Sequence, residues 1–191
     1  MKWHQELGYT LGVRFWNTAY KLTADIKDDN YMKWIQFQIN RKSLYTNNIL
    51  NKFQDTIPPL CTFCLRSSSR NPKLELISEL FFDCPLVNNF WGEIRDWLLT
   101  LNINLVILKN TILFGNHDHE IMSVPNYVVL CGKCFIWRSR LINHDLSLIN
   151  FQYFLFYKLN DMRNAYIHCE KEFKFEPWTV IYDCLLRIKN E

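Results

Sequence analysis

Apolar and polar positions along the chain repeat mostly at helical intervals. Over residues 29–42, Tyr31, Trp34, Ile35 and Ile39 recur near a period of 3.6, while Lys33, Arg41 and Lys42 take remaining positions. The pattern predicts an amphipathic helix with a basic side. After Pro85, the residues Leu86, Phe90, Ile94, Trp97, Leu98 and Leu101 follow at spacings of 4, 4, 3, 1 and 3, which define one face of a second helix. Pro85 suits its first turn, where a missing N–H costs nothing. Two further helices are expected over 125–141 and 146–168, the latter with Ile149, Phe151, Phe154, Leu155, Leu159, Met162 and Tyr166 as its apolar positions, and a last one opens at Pro177. A short helix over 46–53 is closed by the turn at Pro58-Pro59. Between 102 and 115 the pattern is ambiguous: Val106-Ile-Leu-Lys and Ile112-Leu-Phe read as short strands or as irregular packing.

Only five glycines and six prolines interrupt 191 residues, which favours long helices over many short strands. The expected fold is therefore mostly α, a helical domain with a small cysteine-based, zinc-knuckle-like insertion. Its expected parts are an N-terminal helical segment at 1–55, the cysteine-bearing segment at 56–101 and a C-terminal helical segment at 102–191, packed as one unit. With 49% apolar and 16% aromatic residues, the chain can fill a sizeable core, which argues against global disorder. No internal repeat or low-complexity block appears. The formal charge of +3 tolerates a nucleic-acid partner without demanding one.

Seven cysteines, an odd number, follow an N-terminus too polar for a secretory signal. That combination predicts reduced thiols in the nucleus or cytoplasm, because a disulfide scaffold is unusual at this length with this much core. Runs such as 127–131 and 134–137 are too short to cross a bilayer, so no membrane span is expected.

The cysteines carry the most specific chemistry. Cys61-Thr-Phe-Cys64 is followed by Glu79-Leu-Phe-Phe-Asp-Cys84-Pro85, with a polar loop over 65–71 between the two halves. A Cys-x2-Cys turn presents two thiolates, and a distant pair can close a tetrahedral zinc site of Cys61, Cys64, Glu79 and Cys84. Glu79 stands where such sites usually carry histidine. With three thiolates it leaves a first shell near −2 rather than about −1, an excess that Arg66 or Arg70 is placed to offset. On an ideal helix Glu79 and Cys84 would sit roughly 140° apart. Pro85 disfavours α conformation at Cys84, however, so the helix is expected to end there and let Cys84 fold back toward Cys61 and Cys64. The competing reading is three reduced cysteines beside a core that kept its shape after losing the metal.

The order of these residues resembles the zinc-binding region near the C-terminus of non-LTR (LINE-type, jockey-like) retrotransposon reverse transcriptases. The resemblance is carried by Trp34-Ile-Gln-Phe-Gln-Ile-Asn-Arg41, Thr46-Asn47, Cys61-Thr-Phe-Cys64, Leu80-Phe-Phe-Asp-Cys84 and Phe90-Trp91. Ile112-Leu-Phe-Gly115 and Phe135-Ile-Trp-Arg-Ser-Arg140 look like the family's later blocks. It covers the chain from about Trp16 onward and implies a module that helps grip template RNA or target DNA, with the polymerase and endonuclease parts absent from this chain. Glu79 departs from the family's histidine.

No catalytic constellation competes with this reading. The adjacent pair Asp28-Asp29 lacks the flanking strands of a polymerase aspartate turn. Cys131-Gly-Lys-Cys134 is a second Cys-x2-Cys, but in an apolar, helix-like run where packing is the simpler account. His117-Asp-His119 lies in a polar loop, and no glycine-rich phosphate loop, Gly-x-Ser-x-Gly elbow or His-Glu-x-x-His helix occurs. The expectation is a non-catalytic module that binds RNA or DNA through Lys33, Arg41, Lys42, Arg66, Arg70, Lys133, Arg138 and Arg140, provided these cluster in space. Exposed aromatics beside them would stack on unpaired bases. The alternative is a structural or protein-interaction helical domain with a vestigial metal site.

Overall fold

The structure is a computed structural model, described here for residues 3–26, 29–67, 71–117, 123–168 and 176–190. In chain order the helices are α1 (His4–Leu7), α2 (Val13–Ala24), α3 (Asn30–Arg41), α4 (Asn47–Leu50) and α5 (Thr62–Arg66). A π-helical turn over Glu79–Asp83 precedes α6 (Pro85–Thr100), α7 (Lys109–Phe114), α8 (Val124–Leu141), α9 (Leu148–His168) and α10 (Glu176–Asn190). Among the described residues there is no strand, only one antiparallel bridge between Leu60 and Leu74. The fold is mostly α, with a small cysteine cluster that could form a metal site.

The central element is α8, buried along nearly its whole length and packed against α3, α9 and the π turn. Such all-round burial explains its weak amphipathic signal. Gly132 sits under the ring of Trp91 on α6: a Cβ there would lie 2.4 Å from the ring, so only glycine allows this approach. The indole N–H of Trp91 donates to the Phe81 carbonyl at 2.8 Å, which ties the π turn to α6 and to the centre of the fold. Its neighbour Phe90 packs between Phe135 of α8 and Phe151 of α9. One hydrophobic cluster runs from Trp3 through all three sequence segments to Leu185.

The expected helices at 29–42, 85–101, 125–141, 146–168 and 177 onward correspond to α3, α6, α8, α9 and α10. Helix α3 starts at Asp29, whose carboxylate accepts from the Met32 N–H at 2.9 Å and also holds Lys158 of α9 at 2.6 Å. The ambiguous stretch contains neither strand: Ile112, Leu113 and Phe114 are buried in the short helix α7. The expected 65–71 loop begins later, because Leu65 and Arg66 complete α5. Helices α1 and α2 fall within the expected N-terminal helical segment, where the sequence pattern placed no individual helix before residue 29. Helix α2 packs on α3 through Ala19, Leu22 and Thr23. No helix among the described residues is long and apolar enough to cross a membrane.

Candidate metal centre

Two chain segments build the cysteine site. The first comes out of Pro58-Pro59 and pairs with the strand-like run before Glu75: the Cys61 N–H donates to the Lys73 carbonyl at 2.8 Å and the Glu75 N–H to the Pro59 carbonyl at 2.9 Å. Cys61 caps α5 and Cys64 lies in its first turn, so both thiols emerge from one tight bend. The second segment is the π turn, where the Cys84 N–H donates to the Glu79 carbonyl at 3.1 Å. An i→i+5 closure is wider than an α turn and brings residue 84 round toward residue 79, which removes the angular separation expected for an ideal helix. Cys84 itself is extended (φ −65°, ψ 127°) and caps α6, as the following proline requires.

The four donors, three Sγ atoms and one carboxylate oxygen, all lie within 4.8 Å of one another, and all four residues are buried. The Cys64 and Cys84 sulfurs are 3.6 Å apart, and the Cys64 sulfur is 3.9 Å from Glu79 Oε1. A four-coordinate ion with metal–sulfur bonds of about 2.3 Å places its ligand atoms about 3.8 Å apart. The group could therefore hold a metal ion. It leaves no position open to solvent, the mark of a structural rather than a catalytic centre.

The proton arrangement also suits a cation. A hydrogen bond between Cys61 and Cys84 raises the first thiol well above the usual thiol range and lowers the second below it, so Cys61 keeps the proton. The Cys84 sulfur also faces the backbone N–H groups of Val87 and Leu86 at the start of α6, where a thiolate is favoured. Burial pushes up the Cys64 thiol, and burial followed by the Cys84 charge raises the Glu79 carboxyl. Lys73 opposes that rise. Among the described residues the hydrogen-bond partner of Glu79 is the Cys64 thiol, with no cation bonded to it. A divalent ion would stabilise the thiolates and the carboxylate that burial and mutual crowding otherwise disfavour.

Beside this cluster lies a second buried polar group that the sequence did not suggest. Glu75, fully buried, accepts from the Thr62 N–H at 2.8 Å, the Thr62 hydroxyl at 2.7 Å, the Asn47 N–H at 2.8 Å and Arg140 Nε at 2.7 Å. Arg140 also donates to Asn47 Oδ1 at 2.8 Å and lies over the Trp137 ring. The network fixes Thr62, the residue next to Cys61, and so positions the bend that carries both thiols. Its only sequence trace was an acidic residue four positions before Glu79.

The expected basic surface is corrected in two places. Lys133 is buried, its ammonium on the Gln36 side-chain oxygen and the Leu113 carbonyl, and Arg140 is buried on Glu75. Both are turned into the core from α8, so neither can face a phosphate. Lys42 pairs with Glu6 at 2.8 Å, and Arg66 lies over Phe63 with Asp145 at 3.7 Å, not on Glu79. Lys33, Arg41 and Arg138 remain exposed and in no ion pair among the described residues. Arg70, Asp28 and His119 lie outside the described residues. Cys131 and Cys134 are fully buried on either side of Gly132 and take no part in the cluster of metal-type ligands. Comparison with known proteins adds no family: no family model, curated protein or solved structure matches the chain.

Proposed function

We propose that this chain is a non-catalytic nucleic-acid-binding module whose fold is locked by a zinc ion on Cys61, Cys64, Glu79 and Cys84. The observation that carries the zinc reading is the convergence of three thiols and a carboxyl, buried and spaced for tetrahedral coordination. Soft thiolates in a closed four-ligand shell favour zinc over the oxygen-seeking cations. Nucleic acid as the partner is supported by the cations Lys33, Arg41 and Arg138, exposed and in no ion pair among the described residues, and by the resemblance of the motif order to the tail of non-LTR reverse transcriptases. In this reading the module is a separated part of such a polyprotein and grips RNA or DNA without processing it.

The test has two parts. Protein purified without added metal should carry about one zinc per chain. Affinity for RNA or single-stranded DNA should fall as salt rises, because bound phosphates release counterions. Negligible binding at low salt would remove the nucleic-acid reading, and a zinc-free protein that ignores added zinc would remove the metal.

A further inference from the structure

Helix α3 buries Met32, Ile35, Gln36, Ile39 and Asn40, and turns a second apolar row outward. Tyr31, Trp34 and Phe37 are 42%, 41% and 39% exposed. At 100° per residue these rings and Arg41 share an arc of roughly 120° on the helix surface. The Tyr31 and Trp34 rings are near parallel, 19° apart in plane with centroids separated by 6.2 Å, and the Arg41 guanidinium lies over Phe37 at 5.5 Å. Core packing does not account for this row.

The charge carried by α3 itself has one sign, while exposed Asp161 of α9 lines the neighbouring groove. Helix α3 contains no acidic residue, and its cap Asp29 is already occupied by the Met32 N–H and Lys158. Lys33 and Arg41 lie on its exposed side. Arg138, exposed on α8, opposes through its charge the rise that burial imposes on the Tyr31 hydroxyl. It also lines a groove of about 520 Å³ between α8 and α9, together with Tyr153, Tyr157 and Lys158. Because Lys158 is the residue bonded to Asp29, the groove opens next to the start of the aromatic row.

Resting on the nucleic-acid reading above, we propose that this face binds single strands. Unpaired bases stack on Tyr31, Trp34 and Phe37, while Arg41 and Arg138 hold phosphates. Exposed rings offer π faces that any unpaired base can use and that a duplex, with its bases already stacked, cannot reach. Three free cations release too few counterions to grip a duplex tightly, so the rings supply the remaining affinity.

The proposal is tested with zinc-loaded protein and fluorescently labelled oligo(U) and oligo(dT) of about twelve nucleotides, against a duplex of equal length. Both single strands should bind on the order of ten-fold more tightly than the duplex. Trp34→Ala should weaken single-strand binding by on the order of ten-fold and leave the duplex unchanged. Trp34→Phe should keep most of the affinity. Phe53→Ala, which removes a ring 79% exposed in the turn after α4, should change nothing. Arg138→Ala should lower the salt slope by about 0.7, the value for one phosphate contact on a single strand.

Single-strand binding that survives Trp34→Ala intact, or a preference for duplex, overturns this inference and leaves the broader reading standing. Absence of binding to every probe overturns both. A dimer that Trp34→Ala converts to monomer with no change in binding assigns the face to self-association instead.

Discussion

Two buried polar clusters lie side by side, and they are finished to different degrees. Around Glu75 every charge is answered: Arg140, Thr62 and Asn47 satisfy the carboxylate from several directions, and Arg140 is itself held by Asn47 and Trp137. Around Cys84, three sulfurs and a carboxyl crowd within 4.8 Å with no cation bonded among them. The first is a self-sufficient brace, and the second could serve as a socket for a metal ion. A buried charge can be stabilised from within the chain or from outside it, and the difference shows in whether the hydrogen bonds close.

The largest effect is expected from the brace. Arg140→Ala leaves the Glu75 carboxylate buried and uncompensated, and should cost about 3–5 kcal/mol in urea unfolding. The double change Glu75→Gln with Arg140→Met should recover much of that loss, because replacing both charges avoids the stranded one. Equal losses in the single and double variants would mean that the pair is not the source of the stability.

Next comes the socket. With zinc at a hundred times its dissociation constant, chelation should lower stability by about 2.7 kcal/mol, read as a fall in melting temperature while helical circular dichroism persists. Glu79→His, which removes one negative charge from the ligand shell, should tighten zinc in a competition titration. An unchanged affinity would show that the carboxyl is not a ligand.

A smaller effect concerns a third buried charge that belongs to neither pattern. Burial lowers the Lys133 ammonium to about 7, against 10.5 for the free side chain. Between those values the unfolded chain binds the proton that the folded chain has released, so folding stability should rise with pH from about 7 upward. The contribution is at most about 1.4 kcal/mol per pH unit. Above about pH 8.5 the buried thiols, whose folded values are raised, begin to oppose it. The difference between wild type and Lys133→Met isolates the lysine, and parallel stability curves from pH 7 to 8.5 would show that it stays protonated.

The smallest effect lies at the edge of the socket, where Asp83 and Lys109 pair at 2.7 Å on a partly exposed surface. Asp83→Asn should cost under about 1 kcal/mol and weaken further in high salt. A larger loss would mean that this pair braces the π turn.

Helix positions were readable from sequence wherever one face is buried and the other wet, as in α3 and α6, because that contrast is what produces a period. Helix α8 was also expected, at 125–141, but its burial along nearly the whole length removes the contrast that would show which side faces out, and two basic residues there looked available that are not. The cluster of metal-type residues at 61, 64, 79 and 84 was legible from residue type and spacing alone. How Glu79 and Cys84 meet was not, because a π turn leaves no propensity signature. Glu75 was invisible for another reason: its partners at 47, 62 and 140 are brought together only by the folded chain.

The seating of Trp91 on Gly132 bears on the order in which the molecule is assembled. Cys61 and Cys64 form a local pair within one bend, available to a metal early. The other two ligands depend on the π turn, whose Phe81 carbonyl is held by a tryptophan that needs the bare surface of α8 beneath it. The complete set of four therefore exists only after the central helix has docked. An ion held by these four residues would then be captured late, as a latch on a core already closed, in contrast to small zinc domains that stay unfolded until the ion arrives.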